Sequence, residues 1–365
     1  MKILIVANFP ASDHSIATQL RGFAGGYRGI GHETSVLGST AKSRGGKTPD
    51  ALIAAADYVH FLYHGSGDPF LTRAWKSAVR RSKPYGVTFE GHPLNGMSAV
   101  DAIRQRRFLR AAAWTTAVSG YSAGKLLKGL PYLKKKLWIV PNGLDQSVVD
   151  LVSGRGTRER SSAPFVFCAS REEAYKGIDL LLWAWKEIAP SLGGVRLVIA
   201  GRGDDRRHFR RLARILKLGS SVRFMGKINR ERVSSLMRSC LFFVLPSRDE
   251  TFGLAALEAM AFGKAVLATE TGPSSFIRHG RSGLLIPTKD VGALQRGLLR
   301  LSSDRKLRER LGREAAVDAL SYRWEDCAWD FERLMRMAKG TAPRAPGRRP
   351  GASRRGRGPV PKSSS

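Results

Sequence analysis

The chain has 365 residues, 62 Lys or Arg against 30 Asp or Glu, and a formal net charge of +32. Its length predicts two or three domains, and a hydrophobic content of 42% is enough for ordinary cores. No apolar run is long enough to cross a bilayer, and no His, Cys, Asp or Glu spacing matches a metal site.

Residues 1–7 are too short for a signal peptide and run straight into polar sequence, so they read as a first strand. Further apolar runs at 34–37, 58–62, 85–89, 115–119 and 137–140 read as strands. Helical patterns lie between them at 16–27, 70–81, 99–112 and 122–128. Around Asn142-Gly143 the pattern weakens, and residues 145–162 hold few apolar side chains, which reads as a linker. The alternation then restarts. Strands are expected at 165–169, 196–200, 222–225, 241–245, 265–268 and 284–286. Helices are expected at 178–188, 205–217, 230–237, 252–262, 291–301 and 305–320, with a last amphipathic helix at 324–338. Such alternation implies βαβ units, parallel sheets and ligand loops at strand carboxyl ends. Beyond 339, Pro, Gly, Arg and Ser dominate and cannot build a core, so 340–365 reads as a disordered basic tail.

Cys168, Cys240 and Cys327 lie far apart beside apolar runs, which predicts buried free thiols and a reducing cytoplasm. Seven of the basic residues and no acid fall in 340–365, leaving +25 on the rest. That balance points to an anionic partner: nucleic acid, anionic lipid or a phosphorylated substrate. A general arginine bias serving solubility is the alternative.

The stretch 241–263 carries the most chemistry. An apolar run ends at Pro246-Ser247, a polar loop follows, and a helix-forming run stops at Gly263. A strand, a loop and a helix start in a parallel sheet make a ligand-binding corner, because free N–H groups and a positive dipole end face an anion. Glu250 lies on the loop and Glu258 eight positions on. A carboxylate in a mostly apolar helix needs a partner, and a salt bridge to Arg is the plain reading. Glu250-Thr251-Phe252-Gly253-Leu254, followed by Glu258-Ala259-Met260-Ala261 and Gly263, resembles the E-x7-E signature of retaining glycosyltransferases of family 4, within the bacterial group 1 glycosyltransferases. The resemblance implies the α/β GT-B fold: two Rossmann-like, doubly wound parallel-sheet domains facing across a cleft. On it, 1–144 is the acceptor-side domain, 145–162 the linker, 163–322 the nucleotide-sugar domain, and 323–339 a helix crossing back to the first domain.

Other elements fall in register with that signature. Arg171 and Lys176-Gly177 follow a strand and precede a helix. Two cations there suit a diphosphate, Arg as a planar fork and Lys as a point charge; two solvated charges in a basic chain are the alternative. Their spacing resembles the family's Arg-x4-Lys-Gly element, which holds the donor diphosphate, with Ser170 where Gly is usual. Gly201-Arg202-Gly203 lacks the third glycine of a dinucleotide fingerprint, since position 206 is Arg206. It resembles the family's Gly-x-Gly turn beside the nucleotide, and Met225-Gly226-Lys227 would then approach the base. Pro141-Asn142-Gly143-Leu144-Asp145 resembles the family's crossover motif. Two tracts depart from the pattern. Ser275 stands where Glu is usual, and the first loop, Asn8 to His14, lacks the usual glycines.

By resemblance, Glu250 contacts donor-sugar hydroxyls and Glu258 the ribose. Phe252, Gly253 and Leu254 offer N–H groups to the leaving phosphate. Glu90 or His92 lies near the sugar, and Asn8, His14 and Asn142 are on the acceptor side. His60 and His64 flank the third strand and are weaker candidates for the same face. No metal and no cofactor are expected, because protein cations meet the diphosphate. The expected function is retaining transfer of a hexose from a nucleotide diphosphate sugar to a glycan or lipid-linked acceptor, in bacterial polysaccharide or glycolipid assembly. The expected place is the cytoplasm, peripheral on the anionic inner membrane face. Two readings compete: a basic nucleic-acid-binding protein, which predicts steep salt dependence and no role for Glu250, and a catalytically inactive GT-B scaffold.

Overall fold

The computed structural model describes residues 1–8, 14–38, 48–63, 69–91, 99–154, 163–341 and 358–359. The chain divides into two compact units, Met1–Asp145 with Tyr322–Ser365, and Gln146–Ser321.

The first unit runs β1 (Lys2–Ala7), α1 (His14–Gly29), β2 (Glu33–Gly38), α2 (Pro49–Ala55), β3 (Tyr58–Tyr63), α3 (Pro69–Arg80), β4 (Tyr85–Phe89), α4 (Ala99–Ala111), β5 (Trp114–Ala117), α5 (Gly120–Gly129) and β6 (Leu137–Ile139). The second runs α6 (Gln146–Ser153), β7 (Phe165–Ala169), α7 (Ile178–Ile188), β8 (Arg196–Ala200), α8 (Arg206–Ile215), β9 (Val222–Gly226), α9 (Arg230–Ser239), β10 (Phe243–Leu245), α10 (Leu254–Ala261), β11 (Val266–Thr269), β12 (Leu284–Ile286), α11 (Val291–Ser303) and α12 (Arg305–Ala319). The chain then returns to the first unit with α13 (Trp324–Ala338) and β13 (Gly358–Pro359).

Among the described residues, the second unit's sheet has six parallel strands in the order β12-β11-β10-β7-β8-β9. Strand order reverses beside β7, so the carboxyl ends of β7 and β10 flank a topological switch point, where open α/β sheets bind ligands. The strands are continuous apolar runs because helices cover both faces. Val166, Cys168, Leu197, Ile199 and Val244 pack on one face against Leu181, Trp185, Leu294 and Leu298.

The first unit's sheet has the order β13-β6-β5-β4-β3-β1-β2, parallel except for β13. Helix α13 packs on α1 over one face. Phe331 is 1% exposed and its ring centroid lies 5.6 Å from Phe23, 4.7 Å from His60 and 5.5 Å from Trp114.

The structure departs from the sequence reading in several places. Residues 146–153 of the expected linker form α6, because Val148, Leu151 and Val152 fall at helical spacing and Val148 is buried; residues 155–162 lie outside the described residues. Helix α2 escaped the apolar-run reading, although Thr48 caps it by accepting from Ala51 N at 3.2 Å and Pro49 opens it. Within the expected disordered tail, Gly358–Pro359 pairs antiparallel with β6. Edge pairing uses backbone groups, which composition does not report; residues 342–357 and 360–365 lie outside the described residues. Finally, α10 begins at Leu254, with Gly253 as its cap at φ 96°, so Phe252 belongs to the turn.

Candidate functional site at the carboxyl ends of β7 and β10

Two loops meet at the switch point, and backbone contacts weld them. Gly177, after Lys176, has φ 69°, and a Cβ there would lie 2.1 Å from Pro246 O. Only glycine permits that close approach. Arg248 N donates to Tyr175 O at 2.8 Å, and the Arg248 guanidinium forks onto Asp179 at 2.7 and 2.6 Å. On the other flank, Gly201 has φ 149° and a Cβ there would lie 1.8 Å from Ser170 O, while Ser170 N donates to Ala200 O at 3.0 Å. The residues following β7, β8 and β10 are therefore one rigid rim.

That rim brings the charged residues together. Lys176 Nζ donates to Glu250 Oε2 at 2.7 Å, with the side chains 13% and 12% exposed. Ser247 Oγ also donates to Glu250 Oε2, at 3.4 Å. Burial pulls the Lys176 pKa down, but Glu250 and Tyr175 outweigh it, so the ammonium stands above the ordinary lysine value. Arg171, 56% exposed, pairs with Glu173. The Glu250 backbone is fixed as well, because Gly272 N donates to its carbonyl at 2.8 Å. Ser275, in the same turn, donates its hydroxyl to Gly272 O at 2.7 Å.

The other residues expected to bind the donor lie on or beside β8, β9 and α10. Gly253 and Leu254 form the start of α10, and Phe252 is buried with its ring centroid 5.0 Å from Phe276. Gly201 and Gly203 follow β8, and Met225 and Gly226 end β9, with Gly201 N bonded to Gly226 O at 2.9 Å. Glu258, on α10, pairs with Arg230 Nη2 at 3.3 Å, the plain salt bridge that its apolar helix requires. Arg230 escaped the sequence reading, though it opens the helix after Met225-Gly226. So did Glu172, fully buried and next to Arg171 in the sequence, whose Oε2 accepts from Arg210 Nη1 at 2.7 Å. Only its place inside the Arg171–Lys176 element could have flagged it.

The first unit holds a separate buried cluster. Glu90 follows β4 and is 6% exposed. Its Oε2 accepts from Gln19 Nε2 at 2.6 Å and from Asn142 Nδ2 at 3.0 Å. Burial pushes its carboxyl up to about 7, against the lowering effect of Asn142. Gln19, on α1, was not foreseen. Asn8 follows β1 and is half-buried. His92, His64 and the side chain of His14 lie outside the described residues. His60 does not line a binding face. It is fully buried in mid-strand, between Tyr27 Oη at 2.8 Å and Thr88 Oγ1 at 2.6 Å, and burial pushes its pKa down to about 3. A strand residue pointing into the sheet's covered face cannot reach a loop-end site.

Residues 155–318 match the family model described as glycosyl transferases group 1. An uncharacterized glycosyltransferase of Methanocaldococcus jannaschii is 32% identical over 259 residues, covering 69% of this chain and 68% of the archaeal protein. The chain belongs to the group 1 glycosyltransferase family. A D-inositol 3-phosphate glycosyltransferase of Acidothermus cellulolyticus is 29% identical over 209 residues, 52% of this chain and 46% of that one. Other curated relatives are matched over 20% to 55% of their own length. Among solved structures, Anabaena Alr3699/HepE, in complex with UDP and glucose, superposes with a TM-score of 0.72 at 16% identity, covering 92% of this chain and all of that one. At that identity the likeness shows the fold, which is GT-B. For this group 1 glycosyltransferase, the matched region contains Arg171, Lys176, Glu250 and Glu258 together.

Proposed function

We propose that this chain is a retaining hexosyltransferase that uses a nucleotide diphosphate sugar. The observation that carries the reading is the convergence of Arg171, Lys176, Glu250 and the α10 N-terminus at one switch point. Each has a distinct task. Lys176, Arg171 and the N–H groups at Gly253 and Leu254 meet the negative charge that grows on the departing phosphate. Glu250, 2.7 Å from Lys176, orients the sugar through its hydroxyls. Glu258, held by Arg230, takes the ribose.

In the transfer step, the bond from the anomeric carbon to the diphosphate oxygen breaks. A bond to the acceptor oxygen forms on the same face, and the acceptor proton goes to the leaving phosphate oxygen. The chain supplies no nucleophile to this step. On this reading the two cations and the helix start neutralise the diphosphate without a metal. The acceptor is a glycan or lipid-linked hydroxyl, in cell-surface polysaccharide or glycolipid assembly. The charge of +32 supports attachment to an anionic inner membrane face.

The test is transfer and donor hydrolysis across UDP-, GDP- and ADP-hexoses by wild type, Lys176→Ala and Glu250→Ala. Each variant should lose about 10²–10³ in rate. Equal turnover by all three proteins would remove the site assignment.

A further inference from the structure

Both cations assigned to the diphosphate are held by carboxylates. Glu250 holds Lys176 at 2.7 Å, and Glu173 holds Arg171. The pairs are not equivalent. Lys176 and Glu250 are 13% and 12% exposed, so little water screens them, whereas the Arg171 side chain is 56% exposed. A ligand that takes the cations must also provide for the carboxylates it displaces. A sugar-bearing donor gives Glu250 hydroxyl donors in exchange for the ammonium. A bare nucleoside diphosphate presents only phosphate acceptors where the sugar would stand, and leaves the half-buried Glu250 beside added negative charge.

We propose that Glu250 and Glu173 are resident counter-ions that compete with the diphosphate for Lys176 and Arg171, so that the site favours the sugar nucleotide over its nucleoside diphosphate product. The inference rests on the reading of this rim as the donor site. Its consequence is directional. Once the hexose has gone to the acceptor, Glu250 has lost its hydroxyl partners. It returns to Lys176 and displaces the diphosphate, which assists product release. Glu173 acts differently: it offsets charge on the exposed cation and lowers affinity for donor and product alike.

The experiment is calorimetric titration of the full chain, as wild type, Glu250→Gln and Glu173→Gln. The probes are UDP, GDP and ADP, and UDP-glucose, GDP-mannose and ADP-glucose. The nucleoside diphosphate that binds wild type should bind Glu250→Gln about tenfold tighter, and the matching sugar nucleotide should lose its advantage over it. Glu173→Gln should tighten both ligands equally, by about threefold, because solvent screens that pair. Unchanged or weaker diphosphate binding in both variants would overturn the exchange while leaving the donor site standing. Failure of wild type to bind any of the six ligands would overturn the donor-site reading itself. Glu173 is 17% exposed and lies in the loop after β7, outside any strand or α-helix, so its variant keeps the test intact if Glu250→Gln does not fold.

Discussion

Replacing Glu90 with Gln should stabilise the first unit at neutral and alkaline pH. Glu90 is buried, and its carboxyl is raised from 4.5 to about 7. At 1.36 kcal/mol per unit, that shift corresponds to about 3 kcal/mol. The sign follows from which state holds the proton. Between pH 4.5 and 7 the folded chain keeps a proton that the unfolded chain has released, so stability falls as pH rises through that window. Below 4.5 both states are protonated and nothing is lost. Above 7 the full cost of burying the carboxylate is present. Glutamine has the shape of the neutral acid, and its carbonyl can still accept from Gln19 and Asn142. Urea unfolding followed by tryptophan fluorescence suits the purpose, since five of the seven tryptophans belong to the first unit. From pH 5 to pH 8, wild type should lose about 2–3 kcal/mol more than Glu90→Gln. Parallel pH profiles for the two proteins would refute the claim that burial governs this group.

Three further outcomes are expected. Gly177→Ala should destabilise the second unit by at least about 2 kcal/mol, seen as a lower unfolding midpoint, because φ is 69° and the added Cβ meets Pro246 O at 2.1 Å. Phe331→Ala should cost the first unit about 3–5 kcal/mol, measured by denaturant unfolding, since the ring is 1% exposed among Phe23, His60 and Trp114. On the proposed membrane role, the chain should sediment with vesicles containing phosphatidylglycerol but not with pure phosphatidylcholine, and about 0.5 M salt should release it; binding indifferent to lipid charge would contradict that role.

Much of the architecture follows from local pattern. Buried parallel strands are continuous apolar runs, so segments such as Phe165–Ala169 and Leu284–Ile286 announce themselves without help from neighbours. The loop ends carrying Arg171, Lys176, Glu250 and Gly253 are equally legible, because cations, carboxylates and glycines stand directly after those runs. Local sequence is silent on which charges meet. Lys176 and Glu250 are 74 residues apart and become partners only because β7 and β10 are adjacent parallel strands. Glu90 acquires its raised pKa from a burial site shared with Gln19 and Asn142, 71 and 52 residues away. The return of β13 to the edge of β6 likewise uses backbone hydrogen bonds, to which side-chain composition is blind. Elements and their chemistry are thus written along the chain, since secondary structure responds to near neighbours. Partners, protonation states and burial were decided by the tertiary fold, because electrostatics and desolvation depend on distance in space.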